Sequence, residues 1–195
     1  GDVYKRQPVC WANAVVPAPV LVDAMWGDNS TEGTTARLHL HVHRLRRLLP
    51  RPDLLDSEAG GYRLTVHPGE IDAERFETLL EEGTALVPHD PDRAAELIRK
   101  ALDLWEGPPF EGLDVPHLVD TAHRLEERHH VALQELFTAE LARGRHSAVL
   151  GELTEQVRRH PLDEHLHALL MVAHHRAGQP GRALSVYHRC LLYTS

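Results

Sequence analysis

The sequence predicts a mainly α-helical protein with a winged helix-turn-helix at its front and an all-helical domain of tetratricopeptide-repeat (TPR) type behind it. Three observations predict this class. A basic amphipathic segment lies between a short helical pattern and a hairpin pattern in the first third of the chain. Helical periodicity of apolar residues then continues from residue 71 onward. The stretches that start at Gly144 and Gly178 align at an offset of 34 residues, which is the period of TPR units.

Composition and charge limit what the chain can be. Its 195 residues are 42% hydrophobic and 26% charged, which excludes low-complexity disorder and a collagen repeat. No apolar run approaches the roughly 20 residues that cross a bilayer, and no signal-peptide pattern occurs, so we expect a cytoplasmic protein without membrane contact. The formal net charge of −8 conceals an asymmetry, because 7 Lys and Arg oppose 4 Asp and Glu up to residue 51, against 14 and 25 afterwards. A basic front on an acidic chain predicts two separate roles.

Two helices with a turn between them are predicted first. Residues 17–28, PAPVLVDAMWGD, form a short helix that ends at Gly27, and its inward side chains are Val20, Leu21, Ala24 and Met25. Residues 34–49, TTARLHLHVHRLRRLL, form an amphipathic helix whose apolar stripe is Leu38, Val42, Leu45 and Leu49. The side chains that lie away from this stripe or on its flank are Arg37, Leu40, His41, His43, Arg44 and Arg47.

The basic helix is followed by a hairpin. Pro50 and Pro52 end the helix, because proline lacks an amide donor and restricts the residue before it. Gly60-Gly61 then lies between two short segments rich in strand-forming residues. Helix, turn, basic helix and hairpin is the order of a winged helix-turn-helix. The basic face suits insertion into the major groove of DNA, where arginine pairs with guanine edges or phosphates, and it suits a solvated charged face equally well.

The remaining elements are predicted to be helices. Apolar periodicity begins again at residue 71, and Asp90-Pro91 starts a further helix, since Asp is a good N-cap and Pro suits the first turn. We expect helices at 71–87, from Asp90-Pro91 to the break at Gly107-Pro108-Pro109, at about 117–143, and after Gly144, Pro161 and Gly178. Two TPR-like units are fewer than the three or more that such arrays usually need.

The 16 histidines raise the question of a metal site. Glu126 with His129, and Glu127 with His130, have the Glu-x-x-His spacing of di-iron bundles, but both motifs overlap on one helix, and such a site needs them on separate helices. No HExxH motif, cysteine pair, G-x-S-x-G elbow or P-loop occurs. We therefore expect no metal, no cofactor and no enzymatic activity. A metalloenzyme bundle stays as an alternative that metal analysis would test.

Several stretches carry a family resemblance. VVPAPVLVDAMWGD, ARLHLHVHRLRRLL and GGYRLTV resemble the OmpR-like winged-helix domain of the Streptomyces antibiotic regulatory protein (SARP) family of transcriptional activators. IDAERFETLL, ALDLWEGPPFEGL and RLEERHHVALQELFTAELARGRH resemble the bacterial transcriptional activator domain that follows it in this family. The string LW-x-GPP-x-x-x-L at residues 104–113 is the most specific marker. The resemblance covers nearly all of residues 8–189.

The resemblance implies a DNA-binding transcription activator with a winged helix of the phosphorelay-regulator, OmpR-like type. The recognition helix would carry Arg37, Leu40, His41, His43, Arg44 and Arg47, and the wing would carry Gly61, Tyr62 and Arg63. Arg44 is the first choice for a base or phosphate contact. The implied partners are double-stranded promoter DNA with direct repeats, RNA polymerase, and a second copy in a homodimer of the parent protein. The alternative is a free-standing TPR-like protein-interaction module without DNA binding.

The front of the chain departs from the family pattern. SARP proteins begin with a small antiparallel sheet and a full first helix, whereas here residues 9–16, VCWANAVV, would be the tail of that helix. We therefore expect a truncated winged helix-turn-helix. The resemblance then implies that this fragment binds DNA poorly although its parent binds DNA well.

The two ends of the chain look foreign to the patterns beside them. Residues 2–7, DVYKRQ, and residues 190–195, CLLYTS, can be encoded by one short DNA read on opposite strands, and this coding resembles the adaptor of a transposase-based sequencing library. We expect four segments: translated adaptor at 1–7, the C-terminal part of the winged helix-turn-helix at 8–67, a C-terminally truncated activator domain at 71–189, and translated adaptor at 190–195. The chain would then be an internal piece of a longer protein.

Overall fold

The computed structural model describes residues 12–27, 30, 33–111 and 116–194, and it confirms a mainly helical fold with a small sheet. The adaptor expectation for residues 1–7 lies outside the described residues. The front holds β1 (Val15–Pro17), α1 (Ala18–Trp26), α2 (Thr34–Leu48), β2 (Leu55–Glu58) and β3 (Gly61–Leu64). The helices that follow are α3 (Asp72–Leu86), α4 (Pro91–Leu102), α5 (Pro116–Ala142), α6 (His146–Arg159), α7 (Glu164–Arg176) and α8 (Pro180–Thr194).

The chain divides into two compact units. The first runs as far as Arg75 and also includes residues 107–126, and the second comprises Phe76–Glu106 and the chain from Glu127 onward. Among the described residues, no helix combines the length and the apolar character that a membrane span requires.

The first unit is built on a three-stranded antiparallel sheet with the order β1-β3-β2. Gly60 turns the β2–β3 hairpin with φ of +83°, a conformation that suits glycine. A Cβ on Gly61 would lie 2.2 Å from the carbonyl oxygen of Val16, so only glycine allows β1 to pair with β3 at this point. The hairpin predicted around Gly60-Gly61 is therefore confirmed.

The segment before β1 corrects one expectation. Residues 12–16 are not the tail of a helix, because Val15 and Val16 pair with Arg63 and Tyr62 of β3. Asn13 holds the start of the strand, since its side-chain amide and backbone N–H donate to the carbonyls of Val66 and Leu64 at 3.0 and 2.8 Å. Its φ of +61° is incompatible with a right-handed helix. Residues 9–11 lie outside the described residues.

A small apolar core fixes α2 in this unit. It consists of Leu38, Val42, Leu55 and Tyr62, with Ala18, Leu21, Val22, Trp26 and Leu49 packed against it. Two residues that the spacing predicts to face inward do not: Leu45 of α2 is 47% exposed and Met25 of α1 is 49% exposed. Both expectations were wrong, because the side chains of α2 and its C-cap that pack in this core are Leu38, Val42 and Leu49, and this buried stripe is narrower than a full amphipathic face.

The second unit has a helical core in two parts. Side chains of α3, α4 and α5 form the first part, which includes Phe76, Leu80, Ala94, Ile98, Ala132 and Leu136. Side chains of α5 to α8 form the second, which includes Phe137, Leu153, Leu166, Leu170 and Val186. The helix predicted at Asp90-Pro91 begins there, with the Asp90 carboxylate accepting from the Arg93 backbone N–H at 3.0 Å.

The 34-residue repeat appears as two equivalent helix ends. Gly144 and Gly178 both end a helix in the left-handed conformation, with φ of +80° and +73°, as a glycine C-cap does. Within this repeat Leu150 packs against the core, while the aligned Leu184 is 60% exposed. The two repeat units are therefore equivalent in their backbone but not in the burial of this leucine.

Candidate nucleic-acid interface

The candidate interface begins with the way α2 is fixed. Leu38 and Val42 are 3% and 7% exposed, and they stand one helical turn apart, so one face of α2 is anchored against α1 and the sheet. At about 100° per residue, the opposite face of α2 is directed to solvent. The burial of two side chains therefore determines which residues of α2 are accessible.

The accessible face of α2 is basic. Arg37, Leu40, His41, His43, Arg44 and Arg47 are all exposed, and α2 contains no acidic residue. Arg37 and Arg47 are separated by about 15 Å along the axis of α2, at about 1.5 Å per residue, and the major groove of DNA, about 12 Å wide, admits an α-helix. Within the described part of the chain, Arg37, Arg44 and Arg47 enter no ion pair.

Two histidines of α2 contact aromatic rings of the same unit. The ring of His41 lies beside Trp26 of α1, with centroids 5.9 Å apart. His39 meets the ring of Tyr62 edge-on at 6.3 Å. His41 therefore lies at the junction of α1 and α2, on the flank of the exposed face and beside the ring of Trp26.

A fourth arginine of α2 has a different environment. Arg46 is half-buried, and its Nε donates to the carbonyl of Leu55 at 2.7 Å while Nη2 donates to Ser57 Oγ at 2.9 Å. These bonds tie α2 to β2. In the sequence Arg46 is one of several arginines of the basic front, and the signal for its separate role is its position beside the buried stripe, four residues after Val42.

The wing residues have three separate environments. Gly61 lies against the backbone of Val16 and Pro17 in β1. Tyr62 is 8% exposed and belongs to the core. Arg63 is the one with a charged group at the surface, and its Nη2 donates to Glu58 Oε2 at 2.8 Å. The structure thus brings Arg37, Leu40, His43, Arg44 and Arg47 onto one exposed face of α2, and it does not bring Gly61 and Tyr62 onto an accessible surface.

The two histidines of the Glu-x-x-His motifs of α5 contact other side chains of the second unit. His129 stacks on Trp105 with ring centroids 4.4 Å apart, and burial lowers the pKa of His129. His130 Nε2 lies 2.5 Å from Asp163 Oδ2. Among the described residues, no group of three or more His, Cys, Asp or Glu side chains could hold a metal ion.

Asp163 connects three elements of the second unit. Its carboxylate accepts from the Leu166 backbone N–H at 2.9 Å, which caps α7, and from Gln134 Nε2 of α5 at 2.7 Å. His160, at the end of α6, lies 4.4 Å from the His130 ring. Burial raises the pKa of Asp163, but the hydrogen bonds from the Leu166 backbone N–H and from the His130 side chain lower it further, so that the pKa lies below its usual value. The cluster therefore joins α5, α6 and α7 as a structural junction.

Comparison with known proteins adds a family match. The family model described as the bacterial transcriptional activator domain matches residues 71–193. The chain is 35% identical over 184 residues to the transcriptional regulator RedD of Streptomyces coelicolor, which covers 90% of this chain and 53% of RedD. It is 34% identical over 188 residues to the regulatory protein DnrI of Streptomyces peucetius, which covers 90% of this chain and 69% of DnrI. The chain thus spans about half the length of RedD.

A solved structure has a similar fold over nearly the whole chain. It is that of EmbR from Mycobacterium tuberculosis in complex with a low-affinity phosphopeptide. The TM-score is 0.83 at 30% sequence identity, and the match covers 92% of this chain and 49% of the EmbR chain. The similarity therefore includes both units described above.

Proposed function

The chain belongs to the Streptomyces antibiotic regulatory protein family of transcriptional activators, and from this premise we propose that it binds promoter DNA through α2. In this proposal α2 enters the major groove of direct-repeat sites, and the β2–β3 hairpin lies beside the neighbouring backbone. The role is regulatory rather than catalytic. The whole protein acts in the cytoplasm, where its partners are double-stranded DNA and RNA polymerase.

One observation carries the proposal for α2. Its exposed face presents Arg37, Arg44 and Arg47 without an acidic residue, while its other face is packed against α1 and the sheet. Such a face can place guanidinium groups against phosphates and against the O6 and N7 acceptors of guanine. Arg44 is the proposed base contact. Leu40, His41 and His43 line the same surface, and Gly61 and Tyr62 shape the hairpin that carries Arg63.

The helical unit has a second proposed role. Residues 71–189 act in dimerisation and in contact with RNA polymerase. The match of residues 71–193 to a bacterial transcriptional activator domain supports this assignment. We further propose that residues 8–67 are the C-terminal part of the winged helix-turn-helix, that residues 1–7 and 190–195 are translated adaptor, and that the intact natural protein binds DNA more tightly than this chain.

The test uses the intact natural protein. Duplexes are selected from a random-sequence library by the wild-type protein, and affinity is then measured by fluorescence anisotropy at several salt concentrations. Arg44→Ala should weaken binding to the selected duplex by about 1–3 kcal/mol, or about 5- to 140-fold, because one bidentate base contact is lost. Binding to unselected DNA should change less.

The matched control is Arg158→Ala, which removes an exposed arginine from α6 in the second unit. It should leave DNA affinity unchanged. If Arg44→Ala weakens binding equally on all sequences, Arg44 contacts phosphate rather than a base. If the intact wild-type protein selects no duplex and does not change the anisotropy of labelled DNA relative to buffer alone, the DNA proposal is wrong. The chain is then an interaction module.

A further inference from the structure

The β2–β3 hairpin carries more acid than base on one face. Asp56 and Glu58 of β2 are both exposed, and because side chains alternate along a strand, they lie on the same face of the hairpin. Arg63 of β3 is the cross-strand partner of Asp56, so it lies on that face as well. Two carboxylates and one guanidinium give this face a net negative charge.

Arg63 is engaged by the hairpin itself. Its Nη2 donates to Glu58 Oε2 at 2.8 Å, across the diagonal of the two strands, and the two side chains are 38% and 37% exposed. Diagonal neighbours in an antiparallel pair are close enough for long side chains to meet. The Arg63 Nε is buried, and the Nη2 group donates to Glu58.

The charge on this face opposes DNA binding. An exposed ion pair is weak, about 0.2–1 kcal/mol, so the strength of the Arg63–Glu58 pair alone would not keep a phosphate from binding Arg63. Breaking it would leave Asp56 and Glu58 uncompensated beside the phosphate backbone. Each phosphate contact contributes through released counterions, with a slope of about −0.9 in log affinity against log salt. A guanidinium that stays with its carboxylate adds nothing to this slope.

We propose that Glu58 withholds Arg63 from the DNA backbone, so that the wing supplies no phosphate contact and the salt dependence of binding comes from α2. This inference rests on the proposed function and changes one part of it, because the hairpin lies beside the DNA without binding a phosphate through Arg63. Glu58 is thus a determinant of sequence-independent DNA affinity. Its role is to hold another residue rather than to touch the nucleic acid.

The test measures salt slopes for Glu58→Gln, Arg63→Ala and the double variant in the intact natural protein, with a random-sequence duplex of about 20 base pairs as the probe. Glu58→Gln should steepen the slope by about 0.9 and raise affinity roughly three- to tenfold at about 0.1 M salt, because Arg63 becomes free to bind a phosphate. Arg63→Ala should leave the wild-type slope unchanged. The double variant should have the wild-type slope as well.

Glu155→Gln is the matched control, since Glu155 is also an exposed carboxylate paired with arginine and lies in the second unit. It changes the net charge equally and should leave the slope unchanged. An unchanged slope in Glu58→Gln, or a slope reduced by about 0.9 in Arg63→Ala, would overturn the inference alone. The proposed function survives both outcomes, because the wild-type protein still binds DNA. If neither the wild type nor any variant binds DNA, the proposed function fails and this inference fails with it.

Discussion

Helices α3 and α4 approach each other so closely at Gly83 that a methyl group does not fit between them. A Cβ at Gly83 would lie 2.6 Å from Ile98 Cγ1 and 3.3 Å from both the Ala94 carbonyl oxygen and the Ile98 backbone nitrogen. Ala94 and Ile98 are fully buried, and a β-branched isoleucine has few alternative rotamers. Gly83→Ala therefore forces the two helices apart or drives Ile98 out of its rotamer.

Two opposing terms determine the size of this effect. Overpacking a core costs about 1–3 kcal/mol, whereas replacing glycine by alanine inside a helix gains about 1 kcal/mol. Because the nearest contact is 2.6 Å and two of the three close atoms are backbone, we take the upper part of the cost. The free energy of unfolding should fall by about 1–2 kcal/mol.

Gly151 provides the matched control. It lies inside α6, and a Cβ there would meet nothing within 4 Å. Gly151→Ala should therefore raise the free energy of unfolding by roughly 0.5–1 kcal/mol through helix propensity alone. Urea denaturation followed by far-ultraviolet circular dichroism measures both variants. If Gly83→Ala is as stable as Gly151→Ala, the close crossing of α3 and α4 is wrong.

Two further predictions concern side chains of the second unit. Asp90→Ala removes a helix cap and should lower the free energy of unfolding by about 1 kcal/mol in urea denaturation. Asp163→Ala removes a helix cap and also the bonds to α5, so it should lower this free energy by about 2–3 kcal/mol. Equal losses would contradict the junction of α5, α6 and α7. Burial lowers the pKa of His129 and His160 below the usual 6.5, so the unfolded chain binds more protons than the folded chain as pH falls through that value, and stability decreases. His129→Phe should reduce this loss between about pH 7 and pH 5 in urea titrations, and an unchanged loss would contradict it.

Local signals predicted several elements well. Asp90-Pro91 marks the start of α4 because a capping carboxylate and a proline both act within one turn. Gly60-Gly61 marks the hairpin because the turn needs a residue with positive φ. The paired glycines at 144 and 178 mark equivalent helix ends. Each of these signals acts over a few residues, so the sequence contains it without knowledge of the rest of the fold.

Contacts between distant segments could not be predicted in this way. Asn13 pairs with Val66, 53 residues further along the chain, and this contact makes the front segment a strand rather than a helix. The bonds of Arg46 to β2 and of Arg63 to Glu58 likewise depend on how the hairpin folds back. Helical spacing predicts the exposed face of α2, but it gives no sign that Tyr62 is part of the core.

Methylation interference tests the central claim most directly, which is that α2 contacts DNA in the major groove. A duplex selected by the intact wild-type protein is treated with dimethyl sulfate, which methylates guanine N7 in the major groove, and bound and free DNA are compared. DNA that is methylated at a contacted guanine should be depleted from the bound fraction. With Arg44→Ala this depletion should disappear at one guanine in each half-site, because Arg44 contacts O6 and N7 there. Equal N7 methylation in bound and free DNA would contradict the account.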